Sequence, residues 1–544
     1  MTIADLQDMA TAATPDRPMI LTGERSLSYA EAQSQSRQIA SGLIAAGARE
    51  GDHIALVMAN YPEFVLAKLA TARAGCTCVP VNFLLSGDAL GYVIDQSDSR
   101  FLITMDCFRG QDYLADLDIL ASKLPKLAAT FVLATGEPCS RTNPTLDDLA
   151  ALATEESDAE LARREARADG SRLSDVLYTS GTTGRPKGVM ITHDMVLRAA
   201  YSSVYTRAFE DGRRIQYALP MYHVFGYVEC WIAAMFVSGT IIPHTLFDPD
   251  EMLDWAERLD TNDLVCVPLM THKLMNRIRE RGLAAPALHT VFNSGGVNVP
   301  TVWQEIYDTF GAREIHTGYG MSETTASSTC TRVEDGDAAL RESNGRMKLA
   351  GTAGDPAIGC LVAEYRAVDP ETGKILPDGE AGELQVRGPI VTEGYYRKPE
   401  ETEAAFTQDG WFRSGDVGKL SRAGWLSLTG RIKETYRCGG EMVMPREIEE
   451  LFDDYPGLAL ALVVGIPDPK MGDVGCLCVV ADGPDKPSDE DLFKLCRERL
   501  ARFKVPKHVL WFDASEIPLT VTGRPQKFKL AELAANRIRL SEIG

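Results

Sequence analysis

Between Leu177 and Val189 the chain reads LYTSGTTGRPKGV, with five hydroxyl side chains, three glycines, one arginine and one lysine. Glycines let backbone N–H groups approach a ligand closely, and hydroxyls and a lysine add further donors. Thr179, Ser180, Gly181, Thr182, Thr183, Gly184 and Lys187 therefore form a candidate cradle for a triphosphate. It is not a Walker A loop, because no Gly-Lys-Ser/Thr stands at the required offset from the first glycine. The bland alternative, a solvated hairpin tip, needs no such run of small donors.

Such a loop needs a rigid frame. Tyr29–Ala46 has helical spacing of apolar residues, His53–Met58 reads as a buried strand, Pro62–Ala74 is helical again and Thr77–Val81 returns to strand. The rhythm recurs at Asp263–Pro268, Leu269–Gly282 and Thr290–Asn293. This alternation predicts an α/β fold, with a mostly parallel sheet covered by helices. After about residue 355 the pattern changes to strand-like runs with many Gly and Pro turns (CLVAEYRAV, GELQVRGP, GWLSLTGR), which predicts an antiparallel sheet or small barrel. Pro445–Phe452 and the amphipathic Ser488–Phe503 read as helices, and Leu460–Ile466 and Cys476–Ala481 as strands. The boundary falls near Gly430–Lys433. It separates a large domain, 1–431, with its barrel-like part at 355–431, from an α+β domain over 432–544.

Composition narrows the function. The 544 residues carry a net charge of −21, which argues against general binding to nucleic acid or an anionic membrane but leaves room for a local basic pocket. The N-terminus lacks the basic and apolar regions of a signal peptide, and the longest apolar runs are too short to span a bilayer. A soluble cytoplasmic protein is expected. The twelve cysteines are scattered, with no Cys/His spacing for zinc. Cys76/Cys78 and Cys476/Cys478 stand one residue apart in apolar surroundings, as reduced core thiols on one side of a strand.

The loop at 177–189 resembles the phosphate-binding signature of the adenylate-forming superfamily, which contains acyl-CoA synthetases, luciferases and the adenylation domains of peptide synthetases. Four further segments resemble that family in family order: YGMSET at Tyr319–Thr324, GWFRSGDVG at Gly410–Gly418, GRIKETYRCGGE at Gly430–Glu441 and PLTVTGRPQKFKL at Pro518–Leu530. Together they span nearly the whole chain.

The resemblance implies a role for each segment. Tyr319 offers a flat face for a purine, with Gly320 beside it, and Glu323 a hard carboxylate oxygen for Mg²⁺. Ser322 takes the place of a threonine beside the α-phosphate and keeps the hydroxyl donor. Asp416 can accept hydrogen bonds from both ribose hydroxyls, and Arg431 can add a donor. His223 in ALPMYHVFG, one of eight histidines, falls where the family lines its carboxylate site, and Gly295 and Gly296 in NSGGV border adenine and acyl group. Lys433 stands at the hinge about which the C-terminal domain is expected to rotate between the two half-reactions. Gly439–Gly440 would then lie along the pantetheine tunnel, where two glycines leave room for a thin chain; a simple tight turn is the structural alternative.

One position departs from the pattern. The family's last loop reads Gly-Lys, and that lysine binds the carboxylate and α-phosphate oxygens during adenylation. Here the pair is Gly523–Arg524, with Lys527 and Lys529 nearby. Arginine keeps the charge and can fork onto two oxygens, but with different reach. Either Arg524 or Lys527 is the candidate cation. The resemblance implies an ATP- and Mg²⁺-dependent ligase that forms an acyl-AMP from a carboxylic acid, releases pyrophosphate and passes the acyl group to CoA. The alternatives are an amide ligase using an amino acid amine, as in coronafacate-ligase-like enzymes, and a non-catalytic nucleotide- or acyl-binding protein.

Overall fold

The structure is a computed structural model and describes residues 1–139, 143–179, 185–295, 301–519 and 525–543. Among these, two large sheets form. One has the strand order Glu314–His316, Thr290–Asn293, Asp263–Cys266, Arg214–Tyr217, Thr240–Pro243, Pro18–Leu21, Ser26–Ser28, parallel except for its last hairpin. The other runs Lys187–Thr192, Leu173–Thr179, Thr77–Val81, His53–Val57, Ser99–Met105, Ala129–Leu133, with only the Lys187–Thr192 edge antiparallel.

The elements follow from local sequence. His53–Val57 and Thr77–Val81 are buried at every residue, as parallel strands covered on both faces must be. The helix Tyr29–Ala45, which links the two sheets, starts at Ser28, which exchanges hydrogen bonds with Glu31 in a capping box. Pro62–Arg73 and Pro268–Arg281 both open on proline, where the missing N–H costs nothing. The second of these ends at Gly282, whose φ of 60° closes the last turn. These elements match the sequence expectations to within two residues.

The antiparallel region consists of Glu364–Val368, Ala381–Arg387, Phe412–Leu420 and Leu426–Arg431, in that order. A three-stranded sheet, Gly318–Met321, Ala326–Cys330 and Arg346–Met347, meets it at the Arg346–Trp425 bridge. Beyond it, Leu458–Asp468 and Gly472–Ala481 form a long hairpin, with His508–Trp511 parallel to its second strand. The helix expected over 488–503 covers only Asp489–Arg499, and a single tight turn, Arg502–Lys504, follows. The chain has to leave helical geometry before Pro506, whose ring pushes its predecessor into extended backbone.

One buried apolar cluster extends from Ile3 to Leu426 and another from Tyr436 to Ala534, with none of the described residues 429–435 in either. Cys76, Cys78, Cys476 and Cys478 are buried free thiols, and the Sγ atoms of Cys476 and Cys478 lie 4.0 Å apart on one face. Cys107 and Cys139, 32 residues apart in sequence, are brought into contact, which no spacing pattern in the sequence signalled. No described helix is long and apolar enough to cross a membrane.

Candidate active site

The carboxyl ends of parallel strands are where α/β sheets bind ligands, and here the motif segments leave from those ends. Strand Leu173–Thr179 runs into the hydroxyl-rich loop, and the chain returns on Lys187–Thr192 with Lys187 paired to Thr179. Both ends of the loop are therefore fixed to the sheet. Ser180, Gly181, Thr182, Thr183 and Gly184 lie outside the described residues, as do Gly296 and Arg524. In the other large sheet, Tyr217 leads to His223, Asn293 to Gly295 and His316 to Tyr319.

Segments far apart in sequence converge on the candidate nucleotide wall. Tyr319 is buried and its hydroxyl donates to Asp416 Oδ2 at 2.6 Å. Asp416 Oδ1 lies 2.9 Å from Arg431 Nε, and the two residues face each other across neighbouring strands. Burial, and then the nearby Asp416 charge, push the Tyr319 hydroxyl well above its ordinary range, so it remains a donor. Ser322 is buried at the start of the next turn. Glu323 in that turn accepts a hydrogen bond from the Tyr395 hydroxyl at 3.0 Å, and its own carbonyl accepts from Thr392 N at 2.8 Å. Burial raises the Glu323 carboxyl, against the hydrogen bonds that favour its charged form. Lys187 Nζ stands 4.8 Å above the Tyr395 ring. Tyr395 therefore joins Lys187 to Glu323, a link that the sequence motifs did not reveal.

Lys433 lies in the turn Ile432–Glu434. Burial lowers its pKa, and repulsion from Lys187 and Arg431 lowers it further. Three cations thus share one region with two carboxylates, an arrangement that can neutralise a polyphosphate. Gly320 has a packing reason of its own, since a Cβ there would stand 2.0 Å from the Ala326 carbonyl oxygen.

The candidate acid wall is apolar. Gly295 has a φ of 87°, and a Cβ there would meet Val267 Cγ1 at 3.2 Å and Phe225 Cε1 at 3.4 Å. Phe225 packs edge-on against Phe292 at 5.5 Å. His223 is half-buried at the start of the short helix Val224–Gly226, beside the Tyr222 ring at 5.5 Å. Ser294 Oγ donates to the Gly318 carbonyl at 2.6 Å and so ties the acid wall to the segment that carries Tyr319.

The C-terminal candidates have partners of their own. Gly439 and Gly440 have φ of 62° and 90° and form the two-residue loop of the hairpin Tyr436–Cys438/Glu441–Val443. Both positive angles suit such a turn. Arg437, beside that loop, forms an ion pair with Glu371. Lys527 opens the helix Lys527–Ile543 and is paired with Glu449 at 2.7 Å and Glu434 at 3.4 Å.

The geometry and motif set define an adenylate-forming enzyme. The family model of the AMP-binding enzyme matches residues 8–396, and that of the AMP-binding enzyme C-terminal domain matches 447–524. The chain is 32% identical over 559 residues to the putative acyl-CoA synthetase YngI of Bacillus subtilis (strain 168), covering 99% of this chain and 98% of that one. It is 31% identical to a feruloyl-CoA synthase of Amycolatopsis sp, covering 94% of each. ATP-bound MatB from Rhodopseudomonas palustris has a TM-score of 0.84 at 28% identity, with 98% of this chain and 99% of that chain covered. The chain belongs to the AMP-binding enzyme family, and within it is an AMP-forming acid–thiol ligase of the acyl-CoA synthetase type.

Proposed function

We propose that this enzyme activates a bulky apolar or aromatic carboxylic acid and passes it to CoA. A carboxylate oxygen attacks the α-phosphorus of ATP, pyrophosphate leaves, and acyl-AMP forms. The CoA thiolate then attacks the acyl carbonyl, AMP leaves, and a thioester results. The observation that carries the acid class is the apolar surrounding of Gly295, where the partly exposed Phe225 stands beside the buried Val267 and is backed by the buried Phe292. Relatives whose names specify bulky ring-bearing acids agree with it, among them the feruloyl-CoA synthase and a methyl-dioxo-octahydroindenyl-propanoyl:CoA ligase of Mycobacterium tuberculosis, 31% identical with 98% of this chain covered.

Tyr319 would stack on adenine, and Asp416 with Arg431 would hold the ribose. Thr179, the following loop and Lys187 would hold the triphosphate, and Ser322 the α-phosphate. His223, Gly295 and Gly296 would border the acid. Lys433 would serve the hinge between domains 1–431 and 432–544, and Gly439–Gly440 the pantetheine tunnel. Mg²⁺ fits this set, because a single hard carboxylate, Glu323, beside phosphate oxygens is how that ion is usually held. When bound it would neutralise charge on those oxygens. Arg524 would carry the adenylating positive charge, since Lys527 is engaged with Glu449 and Glu434. The reading places the enzyme in the cytoplasm, where its buried free thiols stay reduced.

The test is pyrophosphate–ATP exchange over a panel of aliphatic and aryl acids, followed by product mass with CoA or with amino acids. Exchange with bulky apolar acids and a thioester product are expected. Preference for short dicarboxylates would overturn the acid class. An N-acyl amino acid formed without CoA would favour the amide ligase, and no exchange with any acid the binding protein.

A further inference from the structure

The six residues Tyr227–Ile232, just beyond His223, form a π-helix, a wide turn frequent at functional sites. Two of its side chains are polar and fully buried, and each reaches a different nucleotide segment. The Tyr227 hydroxyl donates to Asp175 Oδ2 at 3.0 Å. Asp175 lies on Leu173–Thr179, the strand that enters the phosphate loop, and is also paired with the buried Lys68, whose ammonium sits 4.3 Å over the Tyr227 ring. Glu229 Oε1 accepts from Ser327 N at 2.9 Å, from the Ser327 hydroxyl and from Lys348 Nζ at 3.0 Å. Glu229 Oε2 accepts from the Ser203 hydroxyl at 2.6 Å.

Ser327 sits just after the turn that carries Ser322 and Glu323. There Thr325 and Ala326, neither of them glycine, hold φ of 56° and 150°. Such backbone persists only where surrounding contacts over-determine it, and the contacts that Glu229 makes to Ser327 N and Oγ supply one of them. The π-helix thus has two arms, one to the base of the phosphate loop and one to the Glu323 turn, and it continues directly from the acid wall at 223–226.

We propose that Tyr227 and Glu229 are positioning residues that set the acid-binding segment against the two nucleotide-binding segments. Neither touches substrate. In-line attack on the α-phosphorus depends on sub-ångström alignment, and a misplacement of about 1 Å can cost roughly a hundredfold in rate. The variants Tyr227→Phe and Glu229→Gln remove one arm each while keeping volume. With the best acid of the panel, each should lower kcat for exchange about tenfold or more well below its melting temperature, with KM for ATP and for the acid within about threefold. The double variant Glu229→Gln/Lys348→Met removes both buried charges, and should recover melting temperature but not kcat. If kcat stays within twofold of the parent in both single variants, or returns with stability in the double variant, the residues are structural and the inference falls.

The inference rests on the ligase reading, so a second measurement needs no acid. Amide hydrogen exchange of the full chain should quicken at 173–192 in Tyr227→Phe and at 318–330 in Glu229→Gln, each without the other. Unchanged or uniform exchange would overturn the inference. Failure of the parent to use any acid would overturn the ligase reading instead.

Discussion

The two walls of the candidate site are built by opposite physics. The nucleotide wall is a web of directed contacts between distant segments. Tyr319 reaches Asp416 across 97 residues of sequence, and Tyr395 reaches Glu323 across 72. The acid wall is close apolar packing, in which Phe225 and Val267 stand against Gly295 with no room to spare for a side chain. Directed polar contacts tolerate little change, because a lost partner leaves a buried group unsatisfied. An apolar wall tolerates volume-conserving change and alters only what fits. Under the proposed roles, the chemistry would belong to the first wall and the choice of acid to the second.

The sharpest break of that contrast is Glu323→Ala. Removing a preorganised charged group from the reacting phosphates typically costs about 100- to 1,000-fold. Exchange kcat should fall by that order for every acid in the panel alike. Loss for some acids and not others would move Glu323 to the acid side. Asp416→Ala comes next. A hydrogen bond to a charged group contributes about 2–3 kcal/mol, so KM for ATP should rise roughly 30- to 150-fold, with acid preference unchanged.

Gly295→Ala sharpens the other wall. The added methyl would press on Val267 and Phe225 at 3.2 and 3.4 Å, on backbone with a φ of 87°. One methylene in an apolar pocket discriminates by about 10-fold or somewhat more. The ranking of acids should shift toward smaller ones by that factor, with KM for ATP within about twofold. An equal loss for all acids would mean that backbone strain, and not the wall, is what changed.

What could be read from the sequence divides along the same line. Lys187 is a candidate because its segment gathers small donors that are unusual together, whereas Tyr319, Glu323, Asp416 and Arg431 are candidates only through the resemblance of their segments to the family's motifs, since alone each reads as an ordinary turn. The helices and parallel strands were legible too, since caps, prolines and apolar periodicity are local. Tyr395 was not, because GYYRKP reads as an ordinary polar turn until the fold brings it under Lys187. Glu229 was not either. A glutamate within YVECW breaks an apolar run, and only Lys348, 119 residues away, and Ser203 and Ser327 make its burial tolerable. Lys527 stood as an alternative cation by position alone, and its pairing with Glu449 appears only in three dimensions.

The smallest expected effect concerns Tyr395 and is a shift in pH dependence. Burial raises the Glu323 carboxyl above its ordinary range, and the hydrogen bond from Tyr395 pulls it back down by favouring the charged form. Under the proposed role Glu323 acts as a carboxylate. Activity should then fall as pH drops through its folded pKa, giving an acid limb above that of an exposed glutamate. Tyr395→Phe deletes the donor but keeps the ring 4.8 Å beneath Lys187. With the donor gone the carboxyl rises further, so the limb of kcat/KM for ATP should move to higher pH. The direction of the shift follows from losing a donor that favours the charged form. Above the limb the rate should stay within about threefold, since no charge is removed where pH exceeds both pKa values. A limb that does not move would assign the acid-side titration to another group, and a large loss at all pH values would place the Tyr395 hydroxyl on the substrate and not on Glu323. The first outcome weakens the charge-based account of the nucleotide wall, and the second adds a member to it.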